Sequence, residues 1–260
     1  PMDQRFNHGY LAVDFFFILS GFVIGYAYDD RWKTMTVKDF IKRRVIRLHP
    51  MVVMGAVIGA VMFYFQGCPV WDVTKVTVAA LLLATFVNAL LIPATPGTEI
   101  RGLGEMYPLN GPSWSLFFEY IGNILYALII RKFSTKALAV LVVAAGCGLA
   151  AFSIFGPYGD ICAGFSLTGT EFTGGFFRLL YAFSAGLLLS RVFRPARVRG
   201  AFWKCSLLVI ILLAVPRLGG ADRLWMNGLY DTVCFALFFP LIVYWGASGK
   251  ITDRYTNRVC

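Results

Sequence analysis

Apolar residues gather along this chain into long runs separated by short polar connections, and the pattern predicts helices that cross a bilayer. A membrane-spanning helix needs roughly 17–25 predominantly apolar residues. Eight runs approach that length: Tyr10–Tyr28, Leu48–Phe65, Val76–Pro93, Ser113–Ile130, Ala137–Phe155, Phe176–Ser190, Phe202–Val215 and Leu229–Trp245. The sixth and seventh are short, which calls for tilt, burial or extension by their flanks. The longest irregular stretch, Pro93–Pro112, holds four prolines and four glycines and leads into the fourth run. No internal repeat or low-complexity stretch interrupts the series.

Composition sharpens this picture. Of 260 residues, 58% are hydrophobic and 15% charged, against roughly 45–50% and about 25% in an ordinary soluble domain. A soluble domain of this size has too little interior to hide that surface, so the excess faces lipid. The predicted fold is an all-α, multi-pass integral membrane helical bundle, with about eight transmembrane helices in one domain over residues 1–260. This excludes a disordered chain, a collagen-like repeat, a disulfide scaffold and a soluble nucleic-acid binder.

Charge changes the picture less. The chain has 24 Lys and Arg against 14 Asp and Glu, a net +10. In a soluble protein that would suggest nucleic acid. Here the basic residues sit between apolar runs, as they do in cytoplasmic loops of membrane proteins, and no nucleic-acid partner is expected. The six cysteines show no metal-ligand spacing, and three lie inside apolar runs, where Cys behaves as a small hydrophobe. No metal is expected. The chain opens on Pro1 without a signal peptide and closes on RYTNRVC without a cap, so it reads as the middle of a longer protein.

The two most basic connections conflict with simple alternation. Asp29–Arg47 carries seven Lys and Arg, and Arg191–Lys204 carries five with no acid. Eight strictly alternating helices put them on opposite sides of the membrane, against the positive-inside bias. An odd number of crossings between Gln66 and Arg131 restores agreement, for example if one segment there is re-entrant.

Three stretches carry candidate chemistry. The first run holds Asp14, an acid that is expensive in lipid unless it faces protein or water. Its Gly21 and Gly25 form a GxxxG pair that favours close helix packing. Asp14 serves either a site or a tightly packed helix with a capping acid near its entrance; His8, just before it, reads as an interfacial histidine. In FIKRRVIRLHP, Arg43, Arg44 and Arg47 stand at helical spacing and form one cationic cluster. Guanidinium groups grip phosphates, and the same cluster suits topology anchoring and anionic lipid. In NGPSWSLFFEYIGNILYAL, Ser115, Glu119, Gly122, Asn123 and Tyr126 share one helical face. A carboxylate in such a stripe acts as a general base, orients one, or belongs to a structural hydrogen-bond stripe. Arg178 is a second intramembrane charge and a candidate counter-ion for Glu119.

Taken together, VDFFFILSGFVI, FIKRRVIRLHP, PSWSLFFEY and FRLLYAFSAGLLL resemble the membrane acyltransferase 3 family of multi-pass carbohydrate O-acyltransferases, in the family's order and across most of the chain. The resemblance implies a protein of about ten membrane helices, of which the first and last fall outside this chain. That first helix would carry an Arg and a His about three turns apart, the His being the presumed base. His8 does not match that position, so the fragment is expected to be catalytically incomplete. Carried over by position are Arg43, Arg44 and Arg47 as the basic cluster and Trp114, Ser115 and Glu119 as the WSLxxE group.

What the resemblance implies is acyl transfer from acyl-CoA, most often acetyl-CoA, to a hydroxyl of a carbohydrate or lipid-linked glycan. No bound cofactor is implied. The arginines would neutralise CoA phosphates, Glu119 would fix the histidine's tautomer or charge, and Trp114 would wall the acceptor, with Asp14 and Arg178 as further substrate-facing charges. No Ser or Cys stands in a GxSxG-type motif, which favours direct transfer over an acyl-enzyme. The expected location is the bacterial cytoplasmic membrane. The alternative is a non-catalytic exporter of polysaccharide or lipid-linked sugar in the same broad family, with Asp14, Glu119 and Arg178 lining a path.

Overall fold

A computed structural model of the protein describes residues 7–66, 75–95, 97–220 and 222–249. Cys68, Cys260 and the closing RYTNRVC lie outside the described residues. The elements are helices: α1 (Ala12–Tyr28), α2 (Val37–Gln66), α3 (Val78–Ala89), α4 (Ser113–Leu128), α5 (Thr135–Phe155), α6 (Gly169–Val192), α7 (Ala201–Ala214), α8 (Trp225–Val233) and α9 (Phe239–Ser248). A π-helical turn, Cys234–Phe238, joins α8 to α9. Among the described residues, β pairing is limited to an isolated bridge between Val198 and Gly249.

Among the described residues six helical segments are long and apolar enough to cross a membrane: Gly9–Lys33, Val37–Phe65, Ser113–Lys132, Thr135–Phe155, Gly169–Val192 and Trp225–Ser248. The chain is thus a multi-pass membrane helical bundle, but two of the eight expected spans are shorter than the bilayer. The 12 residues of α3 rise about 18 Å and the 14 of α7 about 21 Å, against a hydrocarbon core of about 30 Å. For α3 the cause is local. Thr77 caps its start, its hydroxyl accepting from Ala80 N–H. Just past its end Leu91 takes a left-handed φ of 57°, where its carbonyl accepts from the Tyr107 hydroxyl at 2.9 Å.

Elsewhere helices begin earlier than their apolar runs. A capping box starts α2: Asp39 N–H donates to the Thr36 hydroxyl at 3.2 Å while Thr36 N–H donates back to the Asp39 carboxylate at 3.3 Å. The basic segment before Leu48 is therefore helix rather than connection. The sixth run likewise belongs to a helix of 24 residues that starts at Gly169 and carries Glu171 in its first turn.

By internal packing the chain forms two units. One comprises Pro1–Lys33, Lys132–Cys162 and Phe177–Cys260, the other Thr34–Arg131 and Ala163–Phe176. In the first unit α1 lies parallel to the later turns of α6. Gly21 abuts the Phe183 carbonyl and Gly186 the Ile18 carbonyl, so closely that a Cβ at either has no room. The GxxxG face of α1 is thus the α6 contact. In the second unit α2 and α4 run antiparallel. Phe40 meets Tyr126 with ring centroids 5.5 Å apart, and further along Gly55 abuts Asn110. Phe63, Leu81, Ala84, Ile100 and Leu109 close an apolar core beside them.

Candidate active site

On α2 the buried positions Phe40, Arg44, Leu48, Val52 and Ala56 recur every four residues, one helical stripe turned inward. Arg44 falls on that stripe because its neighbours on it are apolar. Only 3% of its surface is exposed. Its Nη2 donates to Glu119 Oε1 at 2.8 Å, a charge-assisted bond of the strong class. Glu119 keeps 16% of its side-chain surface open. Asn123, one turn on, is fully buried and donates from Nδ2 to the Glu119 carbonyl at 2.7 Å. The sequence-derived stripe on α4 therefore faces α2 and is anchored by an arginine.

The arginine cluster does not act as one body. Arg43 and Arg47 lie on the exposed side of α2 with Lys42, while Arg44 turns inward. The structure thus separates an exposed cationic face from one guanidinium committed to a carboxylate. Helical spacing of three and four brings both kinds of position within the same wide arc, which is why spacing joined them.

At the start of α4, Trp114 is buried, its ring 5.1 Å from Phe165 and 6.0 Å from Phe118. Gly164, at φ +118°, passes so close under that indole that no side chain fits there. Glu171 holds this turn from α6, accepting from Gly164 N–H at 2.9 Å and Phe165 N–H at 3.2 Å. The Ser115 hydroxyl donates to the Pro112 carbonyl at 2.9 Å. Trp114 thus supports an aromatic wall and Ser115 binds its own first turn.

Arg178 and Asp14 belong to each other. Both are fully buried; Arg178 Nε reaches Asp14 Oδ1 at 3.0 Å and Nη2 reaches Oδ2 at 2.8 Å, in fork geometry. Nη2 also donates to the Tyr10 carbonyl at 2.9 Å. The expectation that Arg178 pairs with Glu119 is therefore corrected: the ion-pair partner of Glu119 is Arg44. Periodicity tells which face a charge occupies, not which helix that face meets.

The structure adds a polar group in the first unit that sequence reasoning did not assemble. Tyr10 donates to both oxygens of Asp231 at 3.0 and 2.9 Å, and Ile161 N–H donates to Asp231 at 3.1 Å. Arg217 pairs with Asp160. His8 is fully buried beside them. The available signal was Asp231 itself, an acid inside the eighth apolar run. Among the described residues no group of three His, Cys, Asp or Glu side chains is arranged to hold a metal ion.

A buried ion pair locks α1 to α6 within one unit, and an Arg–Glu pair joins the basic segment to the WSLxxE segment within the other. The chain belongs to the acyltransferase 3 family: the family model described as "Acyltransferase domain" matches residues 2–259. It is also 37% identical over 125 residues to "Protein 2 in picA locus" of Rhizobium radiobacter, the match covering 45% of this chain. The chain spans 64% of the length of that curated relative. No solved structure matches the chain.

Proposed function

We propose that the protein is a membrane O-acyltransferase that moves an acyl group, acetyl in the first instance, from acyl-CoA to a hydroxyl of a carbohydrate such as a cell-surface polysaccharide, a lipopolysaccharide or a lipid-linked glycan. The observation that carries this reading is the 2.8 Å bond between Arg44 and Glu119, which ties the basic segment to the WSLxxE helix. Membership of the acyltransferase 3 family supports it.

In this reading the exposed Lys42, Arg43 and Arg47 meet the phosphates of CoA where α2 enters the membrane. Arg44 holds Glu119 in place, so that its carboxylate accepts an N–H from the base and stabilises the cation formed there. The acceptor hydroxyl loses its proton to that base, its oxygen attacks the thioester carbonyl, the C–S bond breaks, and the CoA sulfur leaves and is protonated. The products are an ester and CoA thiol, with no net proton. The resemblance assigns the base to a histidine at a position these 260 residues do not match. The basic ends of the helices face the cytoplasm of a bacterial inner membrane, where acyl-CoA is found, and anionic lipid surrounds them.

Acetyl-CoA labelled in the acetyl group, given to membranes that hold the whole protein, tests the reading. Label appearing in glycan or lipid-linked sugar, and absent from membranes lacking the protein, is the expected result. Label in neither, with an acceptor known to be present, contradicts it and favours the exporter.

A further inference from the structure

Glu119 sits well inside α4, where each main-chain N–H is bound to a carbonyl one turn back. An oxyanion forming beside this stretch is met by a side chain of the helix, not by its backbone. Of the polar side chains from Ser115 to Asn123, two have committed their donors: the Ser115 hydroxyl to the Pro112 carbonyl and the Asn123 amide to the Glu119 carbonyl. Tyr120 is different. Its hydroxyl is buried and, among the described residues, has no hydrogen-bond partner.

A phenol is protonated near neutral pH, so this hydroxyl is a donor. The charges that act on it are those of Arg44 and Glu119, which bond each other at 2.8 Å. All three residues belong to the same unit. Tyr120 is half-buried and Glu119 keeps 16% of its side chain open, so the turn they share is open to a substrate. A buried hydroxyl left unpaired weakens a fold. It is explained where a ligand oxygen supplies the missing partner.

We infer that the Tyr120 hydroxyl is the oxyanion donor of the acyl transfer, an inference that rests on the acyltransferase reading. As the acceptor oxygen bonds to the thioester carbon, the carbonyl electron pair moves onto the carbonyl oxygen. Tyr120 donates its O–H to the charge that gathers there. When that pair returns, the C–S bond breaks and the sulfur leaves. Tyr120 keeps its proton throughout, and the proton of the acceptor hydroxyl goes to the base. Glu119 then stabilises the cation on the base while Tyr120 stabilises the oxyanion, so adjacent residues of one helical turn serve the two charges of the transition state.

Tyr120→Phe tests it, because it removes the hydroxyl and keeps the ring. In membranes that hold the whole protein, with acetyl-labelled acetyl-CoA as donor, kcat should fall roughly a hundred- to a thousandfold. KM for acetyl-CoA should change little, since the bond is made only in the transition state. The melting temperature in mixed micelles should be unchanged or higher, because the hydroxyl has no structural partner to lose. Loss of activity together with a lowered melting temperature overturns the proposal. Wild-type protein, denatured after turnover, should carry no label on Tyr120; label there makes the residue a nucleophile and overturns the donor role. Equal transfer by wild type and Tyr120→Phe removes Tyr120 from the mechanism and leaves the acyltransferase reading standing. No transfer by wild type, with an acceptor known to be present, overturns that reading and this inference together.

Discussion

Arg191 Nε donates to Asp29 Oδ2 at 2.8 Å, so the C-terminal ends of α1 and α6 meet on one side of the membrane. At the other end of the contact Arg178 meets Asp14, and the two helices run parallel between. Parallel packing requires an odd number of crossings from α2 to α5. Those four helices include one, α3, whose 12 residues do not span. Among the described residues the other three are long and apolar enough to cross, a number that suits the parallel arrangement of α1 and α6 and the positive-inside bias.

Thiol labelling in sealed vesicles reads this directly. With background from native cysteines removed, cysteines replacing Lys33 and Arg199 should react with an impermeant reagent from one face. A cysteine replacing Leu103 should react from the other. Labelling of positions 33 and 199 from opposite faces would contradict the parallel arrangement.

The Asp14–Arg178 pair is wholly desolvated, so losing one partner leaves an uncompensated charge. Asp14→Asn or Arg178→Met should each destabilise the protein by about 3–5 kcal/mol. The double replacement should be milder than the sum of the two, because neither charge is then stranded. Unfolding in mixed micelles measures both; additive losses would mean the two residues do not act as a pair.

Backbone contact makes a separate prediction for α6. Gly→Ala in an open helix is usually stabilising by roughly 1 kcal/mol. At Gly186 the new methyl would meet the Ile18 carbonyl, a rigid neighbour, so Gly186→Ala should lower the melting temperature. Gly169→Ala, with open space around it, should not.

The two kinds of arginine on α2 should separate kinetically. Arg43→Gln with Arg47→Gln, both exposed, should raise KM for acyl-CoA several-fold with little change in kcat. Arg44→Gln releases Glu119 and should lower kcat. Equal effects on KM from all three would return them to a single cationic cluster.

The membrane class and most helices were legible because an apolar run of sufficient length has few other uses. Helix ends were less so. An apolar run marks where a helix tolerates lipid, whereas the start of α2 is set by Thr36 and Asp39, and the end of α3 by the left-handed Leu91. For the site, periodicity gave the face of Glu119 correctly and named Arg44. Their pairing needed the neighbouring helix, and without it Arg178 took the place of Arg44. The burial of His8 was not legible for the same reason: it depends on Val215 and Asp231, more than two hundred residues away.

The most direct test of the account compares wild type with Glu119→Gln, in the whole protein and at equal membrane levels. Gln keeps the shape of the side chain and removes the charge that Arg44 holds. With acetyl-labelled acetyl-CoA as donor, the account predicts label in glycan for wild type and a near-complete loss in the variant. Equal labelling in both would contradict the role of Glu119 and with it the proposed site.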